Sequence, residues 1–98
     1  MDAPSPPIVV RREDAVVRVV LARPGARNAL NLEMCLALRA AFEEIDGDDA
    51  VRVVLVEAEG PVFCAGADLK ERAGRDEAWV RRRRQASFAA YAAIERCS

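Results

Sequence analysis

Val53-Val54-Leu55-Val56-Glu57-Ala58-Glu59-Gly60-Pro61-Val62-Phe63-Cys64-Ala65-Gly66-Ala67-Asp68-Leu69 is the stretch on which the reading of this chain turns. It begins with four consecutive apolar residues, three of them β-branched, the pattern of a strand covered on both faces. Gly60-Pro61 breaks that strand, Gly66 permits a sharp turn, and Asp68 is placed to cap a helix. A buried strand that passes through a loop into a helix is the unit at whose carboxyl edge open α/β sheets bind ligands. The fold class is therefore α/β, and the loop is the first place to look for chemistry.

Upstream of the strand the period changes. Leu38, Ala41, Phe42 and Ile45 fall at i, i+3, i+4 and i+7, with charged residues mostly on the other side, which predicts an amphipathic helix. Asn31 is its expected N-cap and Gly47 its expected stop. Further upstream, Ile8 to Arg12 and Ala15 to Ala22 read as a hairpin around Glu13-Asp14, and Arg23 to Asn28 as the loop that leaves it. Strand, helix and strand then suggest a parallel pair. Pro4, Pro6 and Pro7 make residues 1–7 a flexible leader. Downstream, a helix is expected from about Asp68, interrupted around Gly74 and resumed from Asp76 to Arg96. Glu71, three residues after Asp68, would complete its capping box.

The bulk numbers set limits. A 98-residue chain, 52% hydrophobic and 32% charged, has room for one core and the balance of a folded domain. The net charge of −1 conceals a carboxy-terminal third in which Lys70 to Ser98 holds eight basic groups against four acidic ones. Cys35, Cys64 and Cys97 are too few for a disulfide framework, and the absence of histidine removes the usual companion for zinc. The start lacks the basic and apolar regions of a secretory signal, and no apolar run approaches the roughly 20 residues that cross a bilayer. A cytoplasmic protein that uses no membrane and no metal is expected.

Within the decisive stretch, Gly66 bends the backbone while Ala65 and Ala67 leave room for a ligand to approach it. At the start of a helix the first amides lack intrahelical partners and sit at the positive end of the dipole. The Ala67 amide is thus suited to receive developing negative charge, as in an oxyanion hole. Ala-Gly-Ala-Asp taken alone is equally a tight turn followed by an N-cap.

The surrounding motifs add weight. Arg23-Pro24, Asn28-Ala29-Leu30-Asn31, the helix with Met34 and Leu38, Asp48/Asp49 followed by Val51-Arg52-Val53-Val54-Leu55, and Phe63 to Lys70 occur in a telling order. That order and approximate spacing resemble the crotonase superfamily, the enoyl-CoA hydratase/isomerase family, from about Val16 to Lys70 and more loosely beyond. The resemblance implies part of a crotonase-like (ClpP/crotonase) ββα spiral fold. It also implies that the Ala67 backbone amide is one oxyanion donor, that Ala65, Gly66, Asp68 and Leu69 line an acyl-CoA site, and that Arg27, Ala29 and Leu30 lie along the CoA moiety. Coenzyme A would enter as part of an acyl-CoA thioester substrate, without a separate cofactor, and the complete form would be a homo-oligomer, a trimer or hexamer. The activity implied is that of a lyase or isomerase, hydrating an enoyl-CoA or moving its double bond.

Family members are considerably longer, and the second oxyanion glycine and the acid/base residues would lie beyond Ser98. Residues 8–98 are thus expected to be the amino-terminal part of a truncated domain, inactive alone. A strand apolar on both faces, with too few elements to cover it, points the same way. The alternative is a non-catalytic CoA- or RNA-binding and oligomerisation module, suggested by Arg81 to Arg84, since some crotonase relatives are linked to RNA binding. Successive helical residues advance about 100°, however, so those arginines spread around the helix and nucleic acid is not the expected partner. Trp79, Phe88, Tyr91 and Ile94 read as packing residues, and Glu71 and Glu77 as solvated helix residues. Cys64 reads as a small buried residue rather than a nucleophile, with no histidine to activate it.

Overall fold

Alternation over two short runs and a tight connection between them make the first unit a hairpin. In the computed structural model, β1 (Ile8–Glu13) and β2 (Val16–Leu21) pair antiparallel, Ile8 opposite Leu21 and Glu13 opposite Val16. Asp14 takes the left-handed conformation their turn requires (φ 54°). The structure describes residues 6–72 and 74–97. Residues 1–5 of the expected leader and the side chains of Leu69 and Arg72 lie outside that description.

The apolar period from Leu38 to Ile45 becomes α1 (Leu32–Asp46). The Asn31 side chain accepts a hydrogen bond from the Met34 amide at 2.8 Å, and Gly47 closes the helix, as expected. β3 (Val53–Ala58) then lies parallel to β2, Val16 opposite Val53 and Leu21 opposite Ala58, in a sheet ordered β1-β2-β3. The core forms where β2 meets α1: Val17, Val19 and Leu21 pack with Met34, Cys35, Leu38, Phe42 and Ile45. α2 (Glu77–Arg96) closes over α1 through Ala90 and Ala93, residues small enough to bring the two helices close. No described helix is long and apolar enough to cross a membrane.

Two expectations are corrected and one is met. The helix expected from Asp68 is a single 3-10 turn, Leu69–Arg72, whereas the long helix resumes where expected, at Glu77, with the Asp76 side chain capping the Trp79 amide at 2.8 Å. Gly74 adopts φ 74°, a left-handed turn that redirects the chain between the two. β3, apolar on both faces, is poorly covered among the described residues, as the small number of elements implied: Val53, Leu55 and Val56 are 47, 39 and 41% exposed. Phe88, Tyr91 and Ile94 face outward rather than into the core, since the stripe of α2 against α1 runs through Arg83, Ala90 and Ala93. Trp79 is half-buried, with the Arg75 guanidinium 4.8 Å from its ring centre.

Candidate functional site

Two loops leave the carboxyl ends of β2 and β3, and polar contacts bind them together. The first turns through Pro24–Ala26 and then places Arg27 and Asn28 in succession at left-handed φ values of 54° and 55°. Asparagine tolerates that conformation better than most residues, and here its side chain is used completely. Asn28 is fully buried; its Oδ1 accepts the Arg23 amide at 2.8 Å and its Nδ2 donates to the Glu59 and Val62 carbonyls, each at 2.8 Å. One side chain thus fastens the first loop to the start of the second. Gly60 lies at the contact, at φ 83°, where a Cβ would come within 2.9 Å of the Pro24 Cβ. Only glycine fits there.

Beyond that strut the loops run side by side. The Ala65 amide donates to the Arg27 carbonyl at 3.0 Å, the Leu30 amide to the Gly66 carbonyl at 2.7 Å, and the Asp68 amide to the Leu30 carbonyl at 2.9 Å. The last two bonds form a parallel bridge between Leu30 and Ala67. In that pattern both polar groups of Leu30 face the second loop, so those of Ala67 point away from the first. The Ala67 amide has no hydrogen bond to any described residue. Gly66 makes the bend at φ 94°; a Cβ there would meet nothing within 4 Å, so the requirement is conformational rather than steric.

Beside this bridge opens a groove of about 340 Å³, lined by Arg23, Ala26, Ala29, Ala67, Asp68 and Lys70. Its floor carries an ion pair: Arg23 Nη2 donates to Asp68 Oδ2 at 3.1 Å, and Nη1 donates to the Ala29 carbonyl. Asp68 Oδ1 accepts the Lys70 amide at 3.1 Å and so caps the 3-10 turn. The Lys70 side chain is exposed at the rim. A larger groove of about 550 Å³ lies between β1 and α1, but its lining is largely aliphatic.

Of the residues singled out in the sequence, Ala29, Ala67 and Asp68 line the groove, and exposed Ala65 and Gly66 carry the loop pairing. Arg27 is exposed outside the lining, and Leu30 is buried in the core beneath it. Leu69 begins the 3-10 turn, and its side chain is outside the described residues. The Ala67 amide does not head a long helix, so its donor character comes from the bridge that orients it and not from a macrodipole.

Sequence reasoning missed two participants. Arg83 of α2, 2% exposed, donates through Nε to Glu71, through Nη1 to Ser87 Oγ and through Nη2 to the Leu30 carbonyl. Burial opposes its charge, but the hydrogen bond it donates to Glu71 and the negative charge of that carboxylate outweigh burial and hold the guanidinium pKa above its ordinary value. Glu71, read as a solvated helix residue and as a capping-box partner of Asp68, instead accepts Arg83 on one oxygen. Its other oxygen takes the Leu32 amide at the head of α1, at 2.9 Å.

Known proteins resemble this chain in sequence and in fold. The family model described as enoyl-CoA hydratase/isomerase matches residues 11–98. A protein of Arabidopsis thaliana named "Probable enoyl-CoA hydratase 2, mitochondrial" is 49% identical over 61 residues, 61% of this chain and 20% of the relative. "Enoyl-CoA hydratase domain-containing protein 3, mitochondrial" of Rattus norvegicus is 43% identical over 65% of this chain and 21% of its own length. The crystal structure of an enoyl-CoA hydratase of Mycobacterium smegmatis superposes on 95% of this chain with a TM-score of 0.90 at 37% identity, and the match takes in 37% of that structure. The chain spans about a fifth of the length of the curated relatives it matches.

Proposed function

The chain belongs to the enoyl-CoA hydratase/isomerase family, and from that premise we propose that it supplies half of an oxyanion hole to an enzyme acting on acyl-CoA thioesters. The enzyme hydrates a 2-enoyl-CoA or shifts its double bond. The thioester carbonyl lies against residues 65–68 and accepts the Ala67 amide. When the α-carbon loses a proton or the β-carbon is attacked, charge moves onto that oxygen, and a donor already aimed at it contributes about 3 kcal/mol to the transition state.

The observation that carries this reading is the Ala67 amide itself. It is turned away from Leu30, has no described partner, and lies beside a groove edged by the small residues Ala26 and Ala29. Exposed Lys70 and Arg27 offer positive charge to the phosphates of coenzyme A. Coenzyme A belongs to the substrate, no separate cofactor is required, and the working form is a homo-oligomer, a trimer or hexamer. A cytoplasmic location fits the three free thiols of Cys35, Cys64 and Cys97. The carboxylates of Asp68 and Glu71 are held by Arg23 and Arg83, which supports a proton-transfer role for neither. The RNA-binding alternative loses ground for a related reason: Arg83 is buried, leaving Arg81, Arg82 and Arg84 as the exposed members of the run.

Replacing Ala67 by proline deletes the amide, whereas Ala67→Gly keeps it. In the full-length gene product, with a short 2-enoyl-CoA as substrate, the proline variant is expected to lose about a hundredfold in kcat relative to the glycine variant. Equal kcat in the two would end the oxyanion reading.

A further inference from the structure

One guanidinium joins three segments at the back of the groove. Arg83 projects from α2 to the Leu30 carbonyl of the first loop and to Glu71 of the 3-10 turn, and Glu71 in turn holds the Leu32 amide that opens α1. The Leu30 carbonyl is shared: it also accepts the Asp68 amide, while the Leu30 amide donates to Gly66. Those two partners are the neighbours of Ala67. The bond from the Leu30 amide to Gly66 fixes the peptide plane that carries the Ala67 amide, and the bond from the Asp68 amide to Leu30 fixes the plane that carries the Ala67 carbonyl. The bridge needs both to keep Ala67 turned outward, and Arg83 is the charged side chain that reaches the Leu30 carbonyl, the acceptor of the second.

We infer that Arg83 and Glu71 form a positioning pair that holds the Leu30–Ala67 bridge through the Leu30 carbonyl, and with the bridge the outward direction of the Ala67 amide. Neither residue touches the substrate. The alternative account of a buried ion pair is that it merely holds α2 in place, and removing one partner then hurts by stranding the other charge. The two accounts separate when both charges are removed. An Arg83→Met, Glu71→Gln double variant strands no charge, and glutamine can still accept the Leu32 amide, but the Leu30 carbonyl has lost its guanidinium. A structural role predicts recovery in the double variant; a positioning role predicts none at the bridge.

The inference rests on the reading of Ala67 as an oxyanion donor, so the test has an arm that does not depend on turnover. Amide hydrogen exchange of the 98-residue chain is followed residue by residue in the wild type, Arg83→Met and the double variant. The expected result is exchange faster by about tenfold or more at Leu30 and Asp68 in both variants, while core amides such as Val19 and Phe42 return to wild-type protection in the double variant. Bridge amides that recover along with the core would overturn the inference. The second arm is kinetic, in the full-length product with a 2-enoyl-CoA. Misaiming one donor is expected to lower kcat by about ten- to a hundredfold in the double variant, with KM changed less than about threefold. A double variant with wild-type kcat, where Ala67→Pro is inactive, would also overturn it. If Ala67→Pro is as active as Ala67→Gly, the oxyanion reading fails instead, and the exchange arm still decides whether Arg83 sets the bridge.

Discussion

At the loop junction, Asn28, Arg23 and Arg83 satisfy the carbonyls of Glu59, Val62, Ala29 and Leu30 from inside the chain. On β3 and the outer side of α2, Val53, Leu55, Phe88 and Tyr91 remain exposed. The same small domain thus holds one region organised by saturated polar contacts and another whose apolar surface the described residues leave open. The difference teaches that the geometry around Ala67 is a local property, set by residues between Arg23 and Arg83, whereas burial of the outer faces contributes nothing to it. Substitutions in the two regions are accordingly expected to behave in opposite ways.

The largest effect is expected at Asn28. Asn28→Ala leaves two carbonyls and the Arg23 amide without their partner and puts a Cβ-bearing residue with no polar side chain at φ 55°. Together these should cost about 4 kcal/mol in denaturant unfolding. Asn28→Gly relieves the conformational part alone and should recover about 1 kcal/mol. An Asn28→Ala loss below about 1 kcal/mol would show that the junction is not held by polar contacts and would break the comparison.

How much of this was legible beforehand depends on the range of the contacts. The hairpin, α1 with its Asn31 cap, and the parallel return to β3 follow from local period and turn residues, and each was readable. The bend of the loop before Ala67 was readable as well, because Gly66 marks a left-handed turn. The polar clamp was not. Glu71 follows Asp68 at capping-box spacing, and only the tertiary fold sends its carboxylate to Leu32 and Arg83. Arg83 looks like its three neighbours in sequence. Its burial is decided by the phase of α2 on α1, whose trace is the small-residue stripe Ala86, Ala90 and Ala93 continuing to Arg83. The large residues Phe88, Tyr91 and Ile94 misled, because the helices approach so closely that small side chains occupy the interface.

The exposed region supplies the next prediction. Phe88 is 62% exposed, so Phe88→Ser forfeits little burial and should change unfolding stability by no more than about 0.5 kcal/mol. Fewer apolar groups at the surface should also reduce self-association in sedimentation at high concentration. A loss beyond about 1 kcal/mol would mean that this face is covered in solution, and the contrast between the regions would then be one of chemistry and no longer one of burial.

The smallest effect comes from an ion pair that is the exposed counterpart of Arg83 and Glu71. Arg12 on β1 donates to Asp48, which also accepts the Ala50 amide at 2.9 Å beyond the end of α1. The hydrogen bond from Arg12, then that from Ala50, holds the Asp48 carboxyl below its usual pKa. A lowered folded-state value means that the pair stabilises the fold fully above the unfolded aspartate pKa of about 3.9 and loses that contribution as pH falls through the lower, folded value. Asp48→Asn keeps an oxygen for Ala50 and removes the titration. The melting-temperature difference between wild type and Asp48→Asn should therefore be small and constant at neutral pH, shrink on acidification below about pH 3.9, and diminish with added salt because both partners face solvent. A difference that widens in acid would reverse the sign. A difference insensitive to salt would place this pair in the same class as the buried one at the junction, against the separation of the molecule into a polar interior joint and solvent-screened edges.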